Sequence, residues 1–247
     1  MRCAAALLLA LALPPSAAAQ SLSERVRAAG DGALRLSFAS RPNVCGSGSG
    51  ITIRGDGDGE WEPDCEHGPV RVSLRLEGGR VIRAETRVGG RWRADAPAAT
   101  DLGLVPAKEG AMLLLQLARR APDEGSELIT AATLADSVVI WPALLELARD
   151  RELPAGTRRQ AVFWLGQAAG EPATRGLDSI AADDRGDLEV REHAVFALSQ
   201  RPSAEGVPAL IRIARTSPQP ELRRRALFWL GQSEDPRALA LFEELLR

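Results

Sequence analysis

The chain has 247 residues, of which 45% are hydrophobic, and its 31 basic and 33 acidic residues leave a net charge of −2. That length and apolar fraction allow one large domain or two modest ones with a sizeable core. Because no basic excess exists to displace counterions from a phosphate backbone, a nucleic-acid partner is disfavoured.

The first nineteen residues are typical of a signal peptide. Arg2 makes the start positive, an apolar run extends from Cys3 to Leu13, and a run of small residues ends at Ala19. The apolar run is shorter than the roughly 20 residues that span a bilayer, and the small residues suit cleavage after Ala19. A membrane anchor is the alternative. We expect a periplasmic or secreted protein with no stable membrane insertion once residues 1–19 are removed.

Removal of that segment leaves two cysteines, Cys45 and Cys65. An even pair in an oxidising compartment predicts a disulfide. A zinc site that includes His67 is the alternative, but three ligands and a C-x-H spacing do not match a standard zinc site. We therefore expect a disulfide, no metal site and no cofactor.

Alternating apolar residues follow a short helix predicted at 21–30. They occur in four runs, at 34–38, 51–53, 70–76 and 82–88. A period of two indicates half-buried strands, and the Gly78-Gly79 pair between the last two runs suits a hairpin turn. These patterns predict a small antiparallel β-rich unit of about four strands. The expected division of the chain is a signal peptide at 1–19, the β-rich unit at 20–95 and a helical region at 96–247.

An acidic loop, Asp56 to Glu60, lies inside the predicted β-rich unit. Carboxylates at alternate positions are how calcium-binding loops begin. However, Trp61 stands where such a loop requires glycine, and His67 stands where it requires glutamate. We expect a polar hairpin tip, with calcium binding as the alternative.

Three similar segments recur along the second half of the chain. They are RRQAVFWLGQ at 158–167, REHAVFALSQ at 191–200 and RRRALFWLGQ at 223–232. Their period of about 33 residues is that of helical repeats. Each is followed by a second apolar segment with a proline, which is favoured in the first turn of a helix. The repeating unit is therefore predicted to be a helix–turn–helix hairpin.

The pattern R-R-x-A-[AV]-x-x-L-G, followed by a turn and x-P-A-L, resembles the short HEAT-like repeats of phycobilisome lyases over residues 126–247. The chain is also similar to bacterial exported proteins that contain HEAT repeats. The resemblance implies an α-solenoid of about four hairpins, with a divergent helix at about 105–120. Since each hairpin buries its apolar face only against its neighbours, such a stack presents an extended binding surface.

One face of the predicted repeat carries aromatic and amide side chains. The residue two after the repeat alanine is Phe163, Phe196 or Phe228, and four residues later stands Gln167, Gln200 or Gln232. Positions four apart share a helix face, so stacking aligns them into two columns, flanked by Trp164 and Trp229. This candidate ladder suits a protein or carbohydrate partner. The alternative is that the aromatic rings pack between adjacent helices.

Charged residues open each repeat. The arginines are Arg158, Arg159, Arg191, Arg223, Arg224 and Arg225. We expect them to form solvated ion pairs with neighbours such as Glu189 and Glu221, with an anion-binding face as the alternative. His193 occupies a position that is polar in all three repeats, so we expect it on the surface.

The chain carries no motif of a catalytic site. G-x-S-x-G, H-E-x-x-H and the phosphate-binding loop are all absent from the sequence. Without a recognisable nucleophile and base, we expect no enzyme but an exported scaffold that binds a protein partner through its repeat surface. The alternatives are a β-rich unit that senses a ligand or metal in the cell envelope, and an enzyme accessory of the lyase type.

Overall fold

The computed structural model describes residues 20–47, 50–53, 65–92 and 98–247. The predicted signal peptide and the acidic loop lie outside these ranges. Within them the chain forms ten α-helices and six β-strands. No helix in the described ranges is both long and apolar enough to cross a bilayer.

The N-terminal part is one short helix and a small mixed sheet. Its elements are α1 (Leu22–Ala29), β1 (Gly32–Phe38), β2 (Val44–Ser47), β3 (Gly50–Ile53), β4 (Val70–Glu77), β5 (Arg80–Val88) and β6 (Thr100–Leu104). Four strands form a sheet in the order β5-β4-β1-β6, while β2 and β3 form a separate hairpin. Gly78 and Gly79 join β4 to β5 with φ of 58° and 71°. Two positive φ values in a row are what a tight hairpin turn requires, so the predicted turn is confirmed.

The prediction of a purely antiparallel unit is wrong in one strand. β6 runs parallel to β1, with Thr100 opposite Leu34 and Asp101 opposite Arg35. The sequence-based division placed this segment in the helical region at 96–247. Leu102 is its one buried residue, and a single buried position shows no alternation. The division at residue 95 stays a proposal, and the sheet extends past it.

The helical part forms two layers. The A layer contains α3 (Gly125–Thr133), α5 (Ala155–Gln167), α7 (Leu188–Ser199) and α9 (Pro220–Gln232). The B layer contains α2 (Ala107–Ala118), α4 (Trp141–Arg149), α6 (Glu171–Ala182), α8 (Ser203–Thr216) and α10 (Pro236–Leu245). Successive helices alternate between the layers, and from α3 onward neighbouring helices of the same layer pack against each other. The predicted helical repeat solenoid is confirmed, and α2 lies where the divergent helix is expected.

Proline marks the start of most helices that contain it. The prolines of the first turn are Pro142, Pro172, Pro220 and Pro236. Their missing N–H has no partner there in any helix, so the first turn accommodates proline without loss. α8 differs from the prediction, because it begins at Ser203 and so places Pro208 inside the helix.

Small residues at fixed repeat positions bring the A helices together. Ala161, Ala194 and Ala226 are fully buried, each one turn before a buried leucine. A Cβ atom added to Gly166 would lie 2.9 Å from the Cβ of Ala197 on the next A helix. Because real Cβ contacts are not that short, α5 and α7 can approach closely only with glycine at this position.

The sheet packs onto the first helices of the stack through its β5 edge. The Val81 N–H donates to the Arg120 carbonyl oxygen at 3.2 Å, and the Ala84 N–H donates to Glu124 Oε2 at 3.1 Å. Buried residues of the sheet and of both helix layers form one continuous core. The sheet therefore covers the N-terminal end of the helical stack, and these helices protect an otherwise unpaired strand edge.

The predicted disulfide is present in the structure. Cys45 and Cys65 are bonded, with their Cα atoms 5.4 Å apart. The bond lies beside a two-way backbone pairing between Gly46 and Glu66, whose N···O distances are 2.9 and 2.7 Å. Among the described residues, no three His, Cys, Asp or Glu side chains are grouped as metal ligands would be.

Candidate functional site

The outer surface of the A layer, here called the A face, carries the predicted aromatic positions. Phe163 is 38% exposed and Phe228 is 58% exposed, whereas Phe196 is half-buried. The three glutamines one turn later, Gln167, Gln200 and Gln232, are all exposed. The alternative that the aromatic rings pack between adjacent helices is therefore wrong for Phe163 and Phe228. Binding by this surface stays a prediction.

Trp229 links two phenylalanines of neighbouring A helices. Its ring centroid lies 5.2 Å from that of Phe196 and 5.0 Å from that of Phe228. Both pairs are at tilted or edge-to-face angles, which suit the charge distribution of aromatic rings. Trp229 is itself half-buried. Phe196 is therefore half-buried because the tryptophan of the next repeat packs on it.

The equivalent tryptophan of the first repeat makes a similar contact with the preceding A helix. The Trp164 Nε1–H donates to Thr130 Oγ1 on α3 at 3.4 Å, and Gln160 Nε2 donates to the same oxygen at 2.9 Å. In the middle repeat this position is Ala197, which is too small to reach back over Phe163. Phe163 consequently keeps an exposed ring, whose centroid lies 5.2 Å from that of its neighbour Trp164.

The first arginine of each repeat is not the solvated ion-pair residue that the sequence predicts. Arg158 and Arg191 are buried, and Arg223 is half-buried. Each lies one turn before the buried repeat alanine, and its guanidinium reaches back to the segment that precedes its own helix. They donate to the backbone carbonyls of Leu153 at 3.1 Å, Ala181 at 3.0 Å and Ser217 at 2.7 Å. Arg158 also pairs with Asp187, and Arg191 with Asp184.

The arginines at the next two positions do form exposed or partly exposed ion pairs. The pairs are Arg159–Glu189 at 2.7 Å, Arg224–Glu221 at 3.1 Å and Arg225–Glu192 at 2.9 Å. Pairs at this degree of exposure contribute little to stability. His193 is exposed, as predicted. The acidic partner of Arg225 was not anticipated, because Glu192 stands where the other two repeats carry arginine.

A shallow groove lies between α7 and α9 beside the aromatic residues. Its volume is about 430 Å³, and it is lined by Glu192, Glu221, Arg224, Arg225, Phe228 and Trp229. The lining combines the Phe228 and Trp229 side chains with two ion pairs, Arg224–Glu221 and Arg225–Glu192. Such a groove offers apolar contact without a strong charge of either sign.

The outer surface of the B layer is chemically different. It carries ion pairs between neighbouring B-layer segments, formed by Arg119 with Glu146 and Asp150, by Arg212 with Asp178, and by Arg215 with Glu244. Of the five phenylalanines in the chain, Phe163 and Phe228 are the two that are exposed, and both lie on the A face. The A face is therefore the candidate binding surface.

Arg201 forms a buried set of hydrogen bonds below the A face that no sequence pattern predicts. Arg201 is buried and donates to the carbonyls of Gly166 and Gly170, both at 3.1 Å, across the α5–α6 turn. It also pairs with Glu205, whose pKa is lowered, first by a hydrogen bond from Thr174 and then by Arg201. Because Arg201 occurs in one repeat only, a search for recurring residues does not find it.

The family comparison agrees with the helical architecture. A model of HEAT repeats matches residues 177–247. No curated protein matches the chain. The match supports a HEAT-like repeat protein, and such repeats are commonly protein-interaction modules without enzymatic activity. It gives no support for the finer resemblance to phycobilisome lyases.

Proposed function

We propose that the protein is an exported scaffold that binds a protein partner through the A face of its HEAT-like repeats. The observation that carries the proposal is the exposure of Phe163 and Phe228, each one turn before an exposed glutamine. Aromatic residues are enriched in protein interfaces and among the residues that dominate binding energy. A stacked-repeat surface aligns several of them along one line.

Export is supported by two independent features. Residues 1–19 have the pattern of a cleavable signal, and the Cys45–Cys65 disulfide is of a kind that persists in oxidising compartments. We expect the mature chain to begin at Gln20, with the β-rich unit at 20–95 and the repeats at 96–247. Intact mass measurement of protein recovered from the cell envelope tests this, and a chain that retains Met1 would contradict export with cleavage.

Site-specific photocrosslinking tests the A face directly. A benzoylphenylalanine at position 167 is expected to crosslink a protein in envelope extract, because Gln167 adjoins the aromatic surface. The matched control is the same group at Leu239, which is exposed on α10 in the B layer. Replacing both Phe163 and Phe228 with alanine should abolish the crosslink at 167. Equal crosslinking from both positions, or none from 167, would remove the A face as the binding surface.

A further inference from the structure

We propose that two copies of the chain form a two-fold symmetric dimer through one surface of α9 and α10. This surface, here called the α9/α10 surface, is formed by Phe228, Gly231, Phe242 and Leu245. The inference goes beyond the proposed function, because it adds a second copy of the chain as a partner. It follows from the apolar character of the surface, from the sheet that covers the other side of the stack and from the order of charges along α9.

The contacts between repeats show which residues of α9 face away from the stack. Phe196 of α7 faces α9, since the Trp229 ring centroid lies 5.2 Å from that of Phe196. Gly166 of α5 faces α7, since a Cβ atom added to it would lie 2.9 Å from the next A helix. Phe228 and Gly231 occupy these same two repeat positions on α9, and both are exposed. They therefore face away from α7.

The α9/α10 surface is apolar across both layers of the stack. A Cβ atom added to Gly231 would lie 3.8 Å from the Phe242 ring of α10. Leu245 stands one turn after Phe242, and both Leu245 and Phe228 are 58% exposed. Repeat proteins stay soluble when the outer face of the last repeat is polar, and an exposed apolar surface marks an interaction site. This surface therefore calls for an apolar partner.

The opposite side of the stack cannot be that partner. The sheet covers it through hydrogen bonds from the backbone of Val81 and Ala84 to the α2–α3 segment. Two copies therefore meet through the same surface, and such a two-fold contact must be self-complementary. Phe228 and Gly231 meet this condition because they lie one turn apart on one helix face. A two-fold axis between them places each aromatic ring on the glycine of the other copy.

The order of charges along α9 specifies an antiparallel contact. Arg224 occupies the repeat position at which Glu192 contacts Arg225 of the next A helix, so Arg224 also faces away from the stack. Arg224 precedes the proposed axis, and Glu234 follows it, by roughly 7–8 Å each at a rise of about 1.5 Å per residue. Both side chains are exposed. An antiparallel contact sets Arg224 against Glu234 of the other copy, whereas a parallel contact would oppose like charges.

The dimer leaves most of the A face open to another protein. Phe163 and Gln167 lie on α5, two A helices away from the α9/α10 surface. Phe228 stands at the border of the two surfaces and becomes buried in the dimer. Dimer formation and partner binding therefore respond to different substitutions, so each can be tested without the other.

Sedimentation equilibrium of the chain from Gln20 to Arg247 tests for the dimer. Between about 1 and 100 µM the wild type is expected to approach twice the monomer mass, as a contact of this modest apolar content allows. Phe228→Glu should remain monomeric, because the dimer would bury two unpaired carboxylates. The matched control is Phe163→Glu, the same substitution of an exposed phenylalanine on α5, which should dimerise like the wild type.

A charge exchange tests the antiparallel arrangement. Arg224→Glu and Glu234→Arg should each weaken the dimer by about tenfold or more, because each substitution opposes like charges twice in a symmetric contact. The double variant restores opposite charges and should dimerise within about threefold of the wild type. A folding defect of the single variants would not be rescued in this way.

Three outcomes would overturn the inference. They are a chain that stays monomeric up to about 100 µM, a dimer that Phe163→Glu weakens as much as Phe228→Glu does, and a double variant that dimerises no better than the single variants. If the dimer behaves as described while position 167 crosslinks no protein, the proposed function falls and the dimer stands. If position 167 crosslinks a protein and the chain is monomeric, the reverse holds.

Discussion

Replacing Arg191 with methionine removes a guanidinium whose side chain is 3% exposed while keeping most of its apolar stem. The Ala181 carbonyl loses the Nε–H donor at 3.0 Å, and Asp184 loses an ion-pair partner at 3.0 Å. A hydrogen bond from a charged group contributes about 1.5–3 kcal/mol, and an unsatisfied buried acceptor costs about 1–3 kcal/mol. Asp184 itself is mostly exposed, so loss of its ion pair adds little.

The expected loss in the free energy of unfolding is therefore about 2–4 kcal/mol for Arg191→Met. The matched control is Arg224→Met, in the same repeat motif one position further on, whose side chain is 73% exposed and pairs with Glu221. That substitution should cost less than about 0.5 kcal/mol, because surface ion pairs contribute little.

Urea unfolding followed by far-UV circular dichroism compares the two variants with the wild-type chain. The structure predicts a clear drop in the midpoint for Arg191→Met and almost none for Arg224→Met. Equal shifts would refute the reasoning, because they would mean that burial does not distinguish the two arginines. A small shift for Arg191→Met alone would mean that water replaces its hydrogen bonds.

Three further predictions concern other parts of the chain. Phe196→Ala should lower the free energy of unfolding by about 2 kcal/mol, which is less than the roughly 3–5 kcal/mol of a fully buried ring, since Phe196 is half-buried. A larger loss in urea unfolding would show that Phe196 behaves as a core residue. Removing the disulfide with the Cys45→Ser, Cys65→Ser double variant should cost about 3 kcal/mol, from the sequence separation of 20, while the helical signal in circular dichroism is kept; loss of the helices would show that the stack depends on the disulfide. The Arg237 side chain, and then its backbone N–H, lower the pKa of Asp235 to about 2. The stabilisation that ionised Asp235 provides should be complete above about pH 4 and disappear as pH falls through about 2. In that window the free energy of unfolding of the wild type should fall to that of Asp235→Asn. A difference in stability that persists below pH 2 would contradict this.

Several features of the protein were predictable because their physical cause is local. The spacing of Ala161, Ala194 and Ala226 predicts helices with one buried face, since side chains on a helix repeat every 3.6 residues. The Gly78-Gly79 turn was predictable because both positions need a positive φ. The same local periodicity placed the phenylalanines and glutamines on one helix face.

Other features depend on which elements meet, and no local pattern encodes that. β6 pairs with β1 from more than sixty residues away, and its single buried residue, Leu102, shows no period. Arg158 and Arg159 are adjacent and identical in type, yet one is buried against a carbonyl and the other forms a partly exposed pair. The turn that precedes α5 decides between them, because it supplies an acceptor to only one side of the helix.

The sequence by itself determined the repeat, its helical hairpins and the residues that share the A face. The tertiary structure decided how far each of those residues is exposed. Phe196 and Phe163 occupy the same repeat position, but Trp229 covers the first while Ala197 leaves the second open. The physical reason is that helical periodicity fixes direction along one helix, whereas exposure depends on the size of the side chain on the next helix.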